Sequence, residues 1–289
     1  MTADRLPLAT IRTVVRQALA EDLGHGDITT DALFDGPVPA RATVVSEEPH
    51  DLVLAGLSVA LAVFAEVDPS LIGRASCLDG DRVPTGASLL TIEGDGRSIL
   101  KAERVALNFL QRLTGIATLT AQFCEAVKGT PVRLLDTRKT TPGLRALEKW
   151  AVRLGGGQSH RFGLNNGVLI KDNHLALAEG DVAAACRRAR ECAPHGFRIE
   201  VETKTIEEVR AALQGKADII LLDNMSPEMI RDALAIIKGR ALVEVSGGVT
   251  LANIREIASA GPDFISVGAL THSATAVDLS LDILPAARR

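Results

Sequence analysis

The second half of the chain alternates short β-branched runs with stretches of helical periodicity. From about residue 116, six apolar runs end in polar residues or glycine spaced 21 to 35 positions apart: Asp136, Lys171, Glu202, Asp223, Ser246 and Gly268. One strand, one helix and two loops need about that length, so the pattern predicts repeated βα units and a parallel sheet. Such a sheet is either doubly wound or closed into a barrel.

Two features favour a barrel. Barrel active sites collect at the carboxyl ends of the strands, and those are the positions that carry the polar residues. The last two units end in Gly247-Gly248 and Gly268, where a barrel usually binds phosphate through backbone N–H groups. A doubly wound dinucleotide fold would need GxGxxG after its first strand, but the cluster Gly155-Gly156-Gly157 follows a predicted helix.

Residues 1–115 predict a second domain of mixed elements. Apolar residues near the start recur at helical spacing and indicate an amphipathic helix rather than a signal peptide. ARATVVSEE and DLVLAGL predict strands, and LSVALAVFAEV and KAERVALNFLQRLTGIAT predict helices. The turn-rich stretch 75–100 predicts β-hairpins.

Bulk composition excludes several classes of protein. A formal net charge of −4 and 3% aromatic residues argue against a nucleic-acid partner, which needs a basic face or stacking rings. No run approaches the roughly 18 apolar residues of a membrane span. The four cysteines form no CxxC pair, so we expect neither a disulfide framework nor a zinc site, and a reducing, cytoplasmic location.

Basic residues are concentrated in one part of this acidic chain. Between Arg133 and His174 there are eight Lys and Arg against three Asp and Glu. Four charged residues at helical spacing predict the solvated face of one helix: Arg145, Glu148, Lys149 and Arg153. The other cations lie at predicted strand ends or in the loop GGGQSHRFGLNN: Arg138, Lys139, His160, Arg161 and Lys171. Clustered cations are costly unless an anion completes them, so we expect a pocket for carboxylate or phosphate; the alternative is unrelated loop charges.

Three carboxylates face the same predicted mouth. Glu200 and Glu202 are two apart on one strand and therefore share a face, and Asp223 ends the next strand. They could hold a hydroxylated sugar, Mg²⁺ or a developing positive charge, or Glu200 could simply pair with Lys171 inside the barrel. From the residues alone, an isomerase, a lyase or a transferase acting on a sugar phosphate fits this mouth.

Motifs across most of the chain resemble the quinolinate phosphoribosyltransferase family, also called carboxylating nicotinate-nucleotide pyrophosphorylase. They are DLGHGDITT at 22–30, DTRKTTPG at 136–143, HRFGL at 160–164, IKDNH at 170–174, EVE at 200–202, LLDN at 221–224, VSGG at 245–248 and ISVGALTHS at 265–273. The resemblance implies an open TIM-like α/β barrel at 116–274. It also implies an N-terminal α/β sandwich domain at 1–115, joined by a last helix within 275–289.

The resemblance also implies an activity and a set of roles. The family is a pentosyltransferase of de novo NAD biosynthesis that makes nicotinic acid mononucleotide, pyrophosphate and CO₂ from quinolinate and phosphoribosyl pyrophosphate with Mg²⁺. It is at least a homodimer, with Arg104 of the neighbouring subunit in the site. The implied quinolinate residues are Arg104, Thr137, Arg138, Lys139, His160, Arg161 and Lys171. The implied phosphoribosyl pyrophosphate residues are Lys139, Lys171, Glu200, Glu202, Asp223, Ser246, Gly247, Gly248, Val267, Gly268 and Ala269. Catalytic roles fall to Lys139, Lys171, Glu202 and Asp223, and the last two would serve Mg²⁺ directly or indirectly.

Three rival functions can be weighed on the same residues. A relative that prefers nicotinate grips one carboxylate and needs fewer cations than this cluster offers. A metal-assimilation homologue should differ at the quinolinate positions, which are intact here. A carrier module resembles GDRVPTGASLLTIEG, but it needs a lysine at the hairpin tip, and none stands between Gly80 and Gly94.

Overall fold

The computed structural model describes residues 6–286, which group into two compact units. The first unit comprises 6–121, Thr141–Gly156 and 273–286, and the second comprises Gln122–Thr140 and Gly157–His272. The stretch Thr141–Gly156, which the sequence assigned to the barrel, thus groups with the first unit.

The described part of the chain contains both helices and strands from its first element to its last. In order they are α1 (Leu8–Leu23), α2 (Ile28–Leu33), β1 (Pro39–Ser46), β2 (Leu52–Val53), α3 (Leu57–Val67), β3 (Ile72–Ala75), β4 (Arg82–Val83), β5 (Ser88–Asp95), α4 (Gly96–Ala126), β6 (Arg133–Leu135), α5 (Arg145–Leu154), β7 (Val168–Ile170), α6 (Asp172–Leu177), α7 (Val182–Cys192), β8 (Ile199–Thr203), α8 (Ile206–Gln214), β9 (Ile219–Asp223), α9 (Pro227–Ile237), β10 (Leu242–Ser246), α10 (Ile254–Ala260), β11 (Phe264–Ser266), α11 (Ala269–His272) and β12 (Leu279–Pro285).

The first unit is built on a four-stranded sheet in the order β12-β1-β5-β3, with β2 and β4 paired separately. Along β1 every second side chain is buried, from Ala40 to Ser46, which is the period of a strand with one face on a core. The long helix α4 buries the apolar stripe predicted for it: Ala102, Ala106, Phe109, Leu110 and Leu113.

Two sequence expectations for this unit were wrong. The last described element is a strand rather than a helix: β12 pairs antiparallel with β1, and Leu281 lies opposite Val44. Its residues Leu279, Leu281 and Ile283 alternate with period two, the pattern of a strand. The turn-rich stretch also forms no simple hairpin, because β4 pairs with β2 while β5 pairs with β1 and β3.

The predicted solvated face of helix α5 was also wrong. Glu148 and Lys149 are 0% and 1% exposed, and the helix is buried on nearly every side from Leu147 to Val152. Glu148 accepts hydrogen bonds from Arg112 at 3.0 Å and from the hydroxyl of Thr141 at 2.8 Å. Buried charge needs such partners, so the charge pattern of α5 reflects internal pairing rather than contact with water.

The second unit is a parallel sheet in the order β6-β11-β10-β9-β8-β7 with helices between the strands. All six strands fall within the predicted runs. Within the described chain the two end strands, β6 and β7, have no ladder between them, so the barrel is open on that side. This confirms the predicted α/β barrel class.

Residues 157–167, here called the bridging loop, run along the open side. Gln158 donates to the carbonyl of Leu134 and accepts from the N–H of Asp136, so the loop lies beside β6. It then leads into β7 at Val168. The loop therefore connects the two edges of the open barrel and carries His160 and Arg161 with it.

None of the helices between residues 6 and 286 combines the length and the apolar character that a membrane span requires.

Candidate active site

A cavity of about 680 Å³ lies at the carboxyl ends of the parallel strands. Every strand of the second unit contributes, because carboxyl ends of parallel strands meet at one edge. The predicted residues that line it are Thr137, Arg138, Lys139, His160, Arg161, Lys171, Glu202, Asp223, Ser246, Gly247 and Gly248. The structure thus brings the predicted cations, two carboxylates and the glycine pair into one cavity of the second unit.

The glycine pair forms a tight turn after β10. Gly247 and Gly248 both have left-handed backbones, with φ of 87° and 62°. A Cβ atom on Gly247 would lie 2.4 Å from the Oδ1 of Asn224. Glycine is required here both by the backbone angle and by the packed Asn224 side chain. A turn of this kind exposes backbone N–H groups to an anion.

Lys139 lies against a second glycine. A Cβ atom on Gly268 would be 2.9 Å from the Cδ of Lys139. The hydroxyl of Thr271 donates to the Lys139 carbonyl at 2.8 Å. The absence of a side chain at Gly268 therefore leaves room for the Lys139 stem, which ties the loop after β6 to the loop after β11.

Lys171 and Glu202 form a short ion pair in the cavity, with Nζ 2.6 Å from Oε2. The sequence had offered Glu200 as a partner for Lys171, but the lysine pairs with Glu202 instead. The backbone N–H of Lys171 also donates to the ring nitrogen Nδ1 of His174 at 2.8 Å. The His174 side chain therefore supports the backbone of Lys171. Asp223 stands at the end of β9 beside this pair and accepts from the Asn224 amide at 3.2 Å.

Arg138 and Arg161 place two guanidinium groups in the same cavity. Partial burial, followed by the positive charge of Arg138, lowers the pKa of Arg161. Arg161 also donates to the carbonyl of Gly167 at 3.0 Å. A carboxylate bound beside these two neighbouring cations would have favourable electrostatics.

His160 sits beneath these cations against two buried carboxylates. Its Nε2 lies 3.3 Å from Glu200 Oε2 and 3.5 Å from Glu244 Oε2. Burial acts to lower the pKa of His160, but the hydrogen bonds to Glu200 and Glu244 outweigh it and raise the pKa to about 10. Burial also raises the pKa of Glu200.

The other ring nitrogen of His160 defines where the protons lie. The N–H of Arg161 donates to His160 Nδ1 at 2.7 Å, which requires a lone pair on Nδ1. Nε2 therefore carries the single proton of the ring, and the additional proton that the cluster of His160, Glu200 and Glu244 can hold lies on a carboxylate, in keeping with the raised pKa of Glu200. The side chains of His160, Glu200 and Glu244 are close enough to ligate a metal, but a protonated Nε2 has no lone pair to offer one.

Five predicted residues lie outside the lining of this cavity. Glu200 lies one step deeper in β8 and lines a second cavity of about 400 Å³ at the amino ends of the strands. Val267 donates its N–H to Leu135, and Gly268 and Ala269 lead into α11. Arg104 belongs to the first unit, where its side chain is 58% exposed and 3.8 Å from Glu103.

Sequence reasoning missed several residues that do line the cavity: Leu169, Asp172, Leu221, Asn224, Glu244 and Ser266. Glu244 had a visible signal, because a carboxylate in the middle of the apolar run LVEVS is unusual for a strand buried on both faces. Asn224 had a weaker one: it follows Asp223 directly, and its positive φ of 54° is a conformation that asparagine tolerates.

The donor set suits a magnesium ion. Glu202 and Asp223 supply carboxylate oxygens at neighbouring strand ends, and Mg²⁺ prefers such hard oxygen ligands. Few protein ligands are needed, because Mg²⁺ usually keeps waters and binds substrate phosphates.

Comparisons with known proteins show the family of the chain. Residues 27–114 match the model of the quinolinate phosphoribosyl transferase N-terminal domain, and residues 116–282 match that of the C-terminal domain. A probable nicotinate-nucleotide pyrophosphorylase (carboxylating) of Bacillus subtilis is 38% identical over 94% of this chain and 93% of its own. A mitochondrial quinolinate phosphoribosyltransferase (decarboxylating) of Nicotiana tabacum is 42% identical over 96% of this chain and 83% of its own.

Solved structures show the same likeness. The nicotinate-nucleotide pyrophosphorylase from Francisella tularensis aligns with a TM-score of 0.91 and 38% identity, covering 98% of this chain and 99% of that one. Both domain models and full-length relatives of this similarity place the whole described chain in one family. The chain belongs to the quinolinate phosphoribosyltransferase family.

Proposed function

We propose that the cavity at the strand ends is the site where this chain joins quinolinate to phosphoribosyl pyrophosphate. The chain is a carboxylating nicotinate-nucleotide pyrophosphorylase (EC 2.4.2.19) of NAD biosynthesis. Its products are nicotinic acid mononucleotide, pyrophosphate and CO₂. The observation that carries the site assignment is the meeting of cations, two carboxylates and a glycine turn in one cavity.

The quinolinate end is the cation-rich wall. Arg138 and Arg161 present planar guanidinium groups that can each bind two carboxylate oxygens. Thr137 and His160 complete this wall, and Lys139 and Lys171 stand between it and the phosphates. Quinolinate carries two carboxylates, which match the positive charge of the two arginines.

The phosphoribosyl end is the opposite wall. Ser246, Gly247 and Gly248 would bind the 5′-phosphate through backbone N–H groups, with Val267, Gly268 and Ala269 at the next strand end. Glu202 and Asp223 would hold the ribose hydroxyls and Mg²⁺, with Glu200 deeper beneath them. When bound, Mg²⁺ would offset the negative charge of the pyrophosphate group.

The reaction mainly requires that the protein position the two substrates and stabilise the charges that develop on them. As the C1′–O bond to pyrophosphate breaks, C1′ gains positive charge that nearby carboxylates stabilise, and Lys139 and Lys171 stabilise the leaving phosphate. The pyridine nitrogen then forms the bond to C1′. When the C2–carboxylate bond then breaks, its electron pair stays on C2, where the positive charge of the adjacent quaternary nitrogen stabilises it until C2 takes up a proton. No covalent bond to the protein is needed.

The direct experiment follows all products together. Purified protein is incubated with quinolinate, phosphoribosyl pyrophosphate and Mg²⁺, with an EDTA-treated parallel sample. We expect nicotinic acid mononucleotide, pyrophosphate and CO₂ in equal amounts, and little product after metal removal. Pyrophosphate without nucleotide, or full activity in EDTA, would contradict the proposal.

We also propose that the active form is a homodimer in which Arg104 of the neighbouring subunit reaches the quinolinate. The exposed position of Arg104 on α4 supports this. Mixing two inactive variants, Arg104→Ala and Lys171→Ala, gives a sharp test. If each site takes Arg104 from its neighbour, mixed dimers contain one intact site and activity returns. Mixtures that stay inactive although subunits exchange would contradict it.

A cytoplasmic location is the remaining part of the proposal. It is supported by the four cysteines, which are all free thiols and fit a reducing compartment. Fractionation of the source cell, with the protein found outside the cytoplasmic fraction, would refute it.

A further inference from the structure

The two carboxylates beside His160 are almost entirely buried. Glu200 and Glu244 are 5% and 2% exposed. Each has one side-chain oxygen, Oε1, that is buried without a hydrogen-bond partner in the described structure. Such oxygens cost stability, so the pair calls for a functional reason.

The contacts of His160 provide that reason. Its Nε2–H is directed between Glu200 and Glu244, while its Nδ1 accepts the N–H of Arg161. Glu200 and Glu244 lie on β8 and β10, which are separated by β9. Carboxylates on β8 and β10 thus hold the imidazole at Nε2, and the backbone of the bridging loop holds it at Nδ1.

Residue His160 also anchors the bridging loop through its backbone. The backbone N–H of His160 donates to the Asp136 carboxylate at 2.8 Å, and Arg161 follows directly in sequence with its side chain in the anion cavity. The bridging loop spans the open side of the barrel. In the described structure it forms no strand ladder with β6 or β7, and only Gln158 makes backbone hydrogen bonds to the segment that contains β6. A rotation of the imidazole would therefore be passed directly to the backbone and side chain of Arg161.

We propose that Glu244, together with Glu200, is a positioning residue that holds the His160 imidazole so that Arg161 faces a carboxylate of quinolinate. The inference rests on the proposed function. It assigns Glu244 no contact with substrate. It gives His160 a role through orientation, because both of its ring nitrogens are already engaged.

Glu244→Leu removes the carboxylate that accepts from His160 Nε2 and replaces it with an apolar side chain of similar size. We expect the KM for quinolinate to rise about tenfold, since one hydrogen bond to a positioned group is lost. The KM for phosphoribosyl pyrophosphate and kcat should change by less than about threefold. The melting temperature should also fall, because His160 loses one of its two buried carboxylate partners.

Two variants serve as controls. Glu244→Gln keeps an acceptor oxygen for Nε2–H and should restore the quinolinate KM to within about threefold of wild type. Val243→Ala alters a buried residue next to it on β10 whose side chain points to the other face. It should lower the melting temperature and leave the quinolinate KM unchanged.

The outcomes separate this inference from the proposed function. Equal increases in both KM values, or a Gln variant as impaired as the Leu variant, would overturn the positioning role. ¹⁵N NMR of the wild-type His160 ring gives an independent reading if the Leu variant does not fold. A protonated Nε2 supports the proposal, and an unprotonated Nε2 or stoichiometric Zn²⁺ binding at the ring overturns it. Absence of turnover in the wild type would instead contradict the proposed function and leave the NMR reading intact.

Discussion

Lys171 and Glu202 join the ends of β7 and β8 by an ion pair of 2.6 Å inside the cavity. Glu202 has 6% of its side chain exposed and Lys171 has 47%, so the carboxylate depends on the lysine far more than the reverse. The lysine is thereby held at the boundary between the two proposed substrates.

Replacing Lys171 by Met should therefore abolish most activity. The variant leaves Glu202 buried without its cation and removes a positive charge from the leaving phosphate, so kcat should fall by about 100-fold or more. Steady-state kinetics with both substrates measure this. Lys128→Met is the matched control, because Lys128 forms an exposed ion pair with Glu125 and should have wild-type kinetics. A Lys171→Met variant within threefold of wild type would refute the role.

Gly247→Ala should damage use of phosphoribosyl pyrophosphate. The added Cβ would clash with the Asn224 side chain, and alanine would also be strained in the left-handed backbone conformation of this position. We expect the KM for phosphoribosyl pyrophosphate to rise at least about tenfold through displacement of the turn. Gly239→Ala is the control: its φ is 70° and no atom lies within 4 Å. It should cost about 1–2 kcal/mol of unfolding free energy and leave the kinetics unchanged. Equal kinetic effects in both variants would contradict the phosphate-turn assignment.

Substitutions of Arg138 and of Lys139 should have different effects on the KM values for the two substrates. Arg138→Ala should raise the KM for quinolinate with little effect on phosphoribosyl pyrophosphate, since a guanidinium suits a carboxylate. Lys139→Ala should also impair phosphoribosyl pyrophosphate use, because the Lys139 stem lies along Gly268 at the proposed phosphate end. Wild-type constants in both variants would show that these cations are unrelated loop charges.

The His160 cluster should make stability fall as pH rises. Its raised pKa, about 10 against 6.5 for the ordinary side chain, stabilises the folded state fully below about pH 6.5. That contribution is lost as pH rises towards about 10. The raised pKa of Glu200, caused first by burial, acts in the same direction. Urea unfolding of wild type and His160→Asn at pH 6, 8 and 9.5 should give a difference in free energy that shrinks with pH. A constant or growing difference would contradict the assignment.

The sequence was most informative where the hydrophobic periodicity and the polar or glycine residues at the ends of apolar runs indicated the same element. The six strands of the barrel were predictable because each buried run ends in a polar residue or glycine, and the same rule located the cavity. Helix α4 was predictable from its apolar stripe.

Other features depend on tertiary contacts that a local pattern does not contain. Glu148 and Lys149 have the spacing of surface ion pairs, but packing encloses α5, and Arg112 reaches Glu148 from a distant part of the chain. Strand β12 was missed because its partner β1 is more than 200 residues away. Glu244 was missed because its role depends on His160, which arrives from a loop on the far side of the sheet.

The measurement that tests the central claim most directly is the ratio of kcat/KM for quinolinate to that for nicotinate, with phosphoribosyl pyrophosphate and Mg²⁺ present. A wall with two arginines, with two lysines beside it, is matched to two carboxylates, so we expect the wild type to favour quinolinate by at least about 1,000-fold. Arg138→Ala should reduce that ratio. Equal use of both acids, or a preference for nicotinate, would contradict the assignment of this cavity as a quinolinate site.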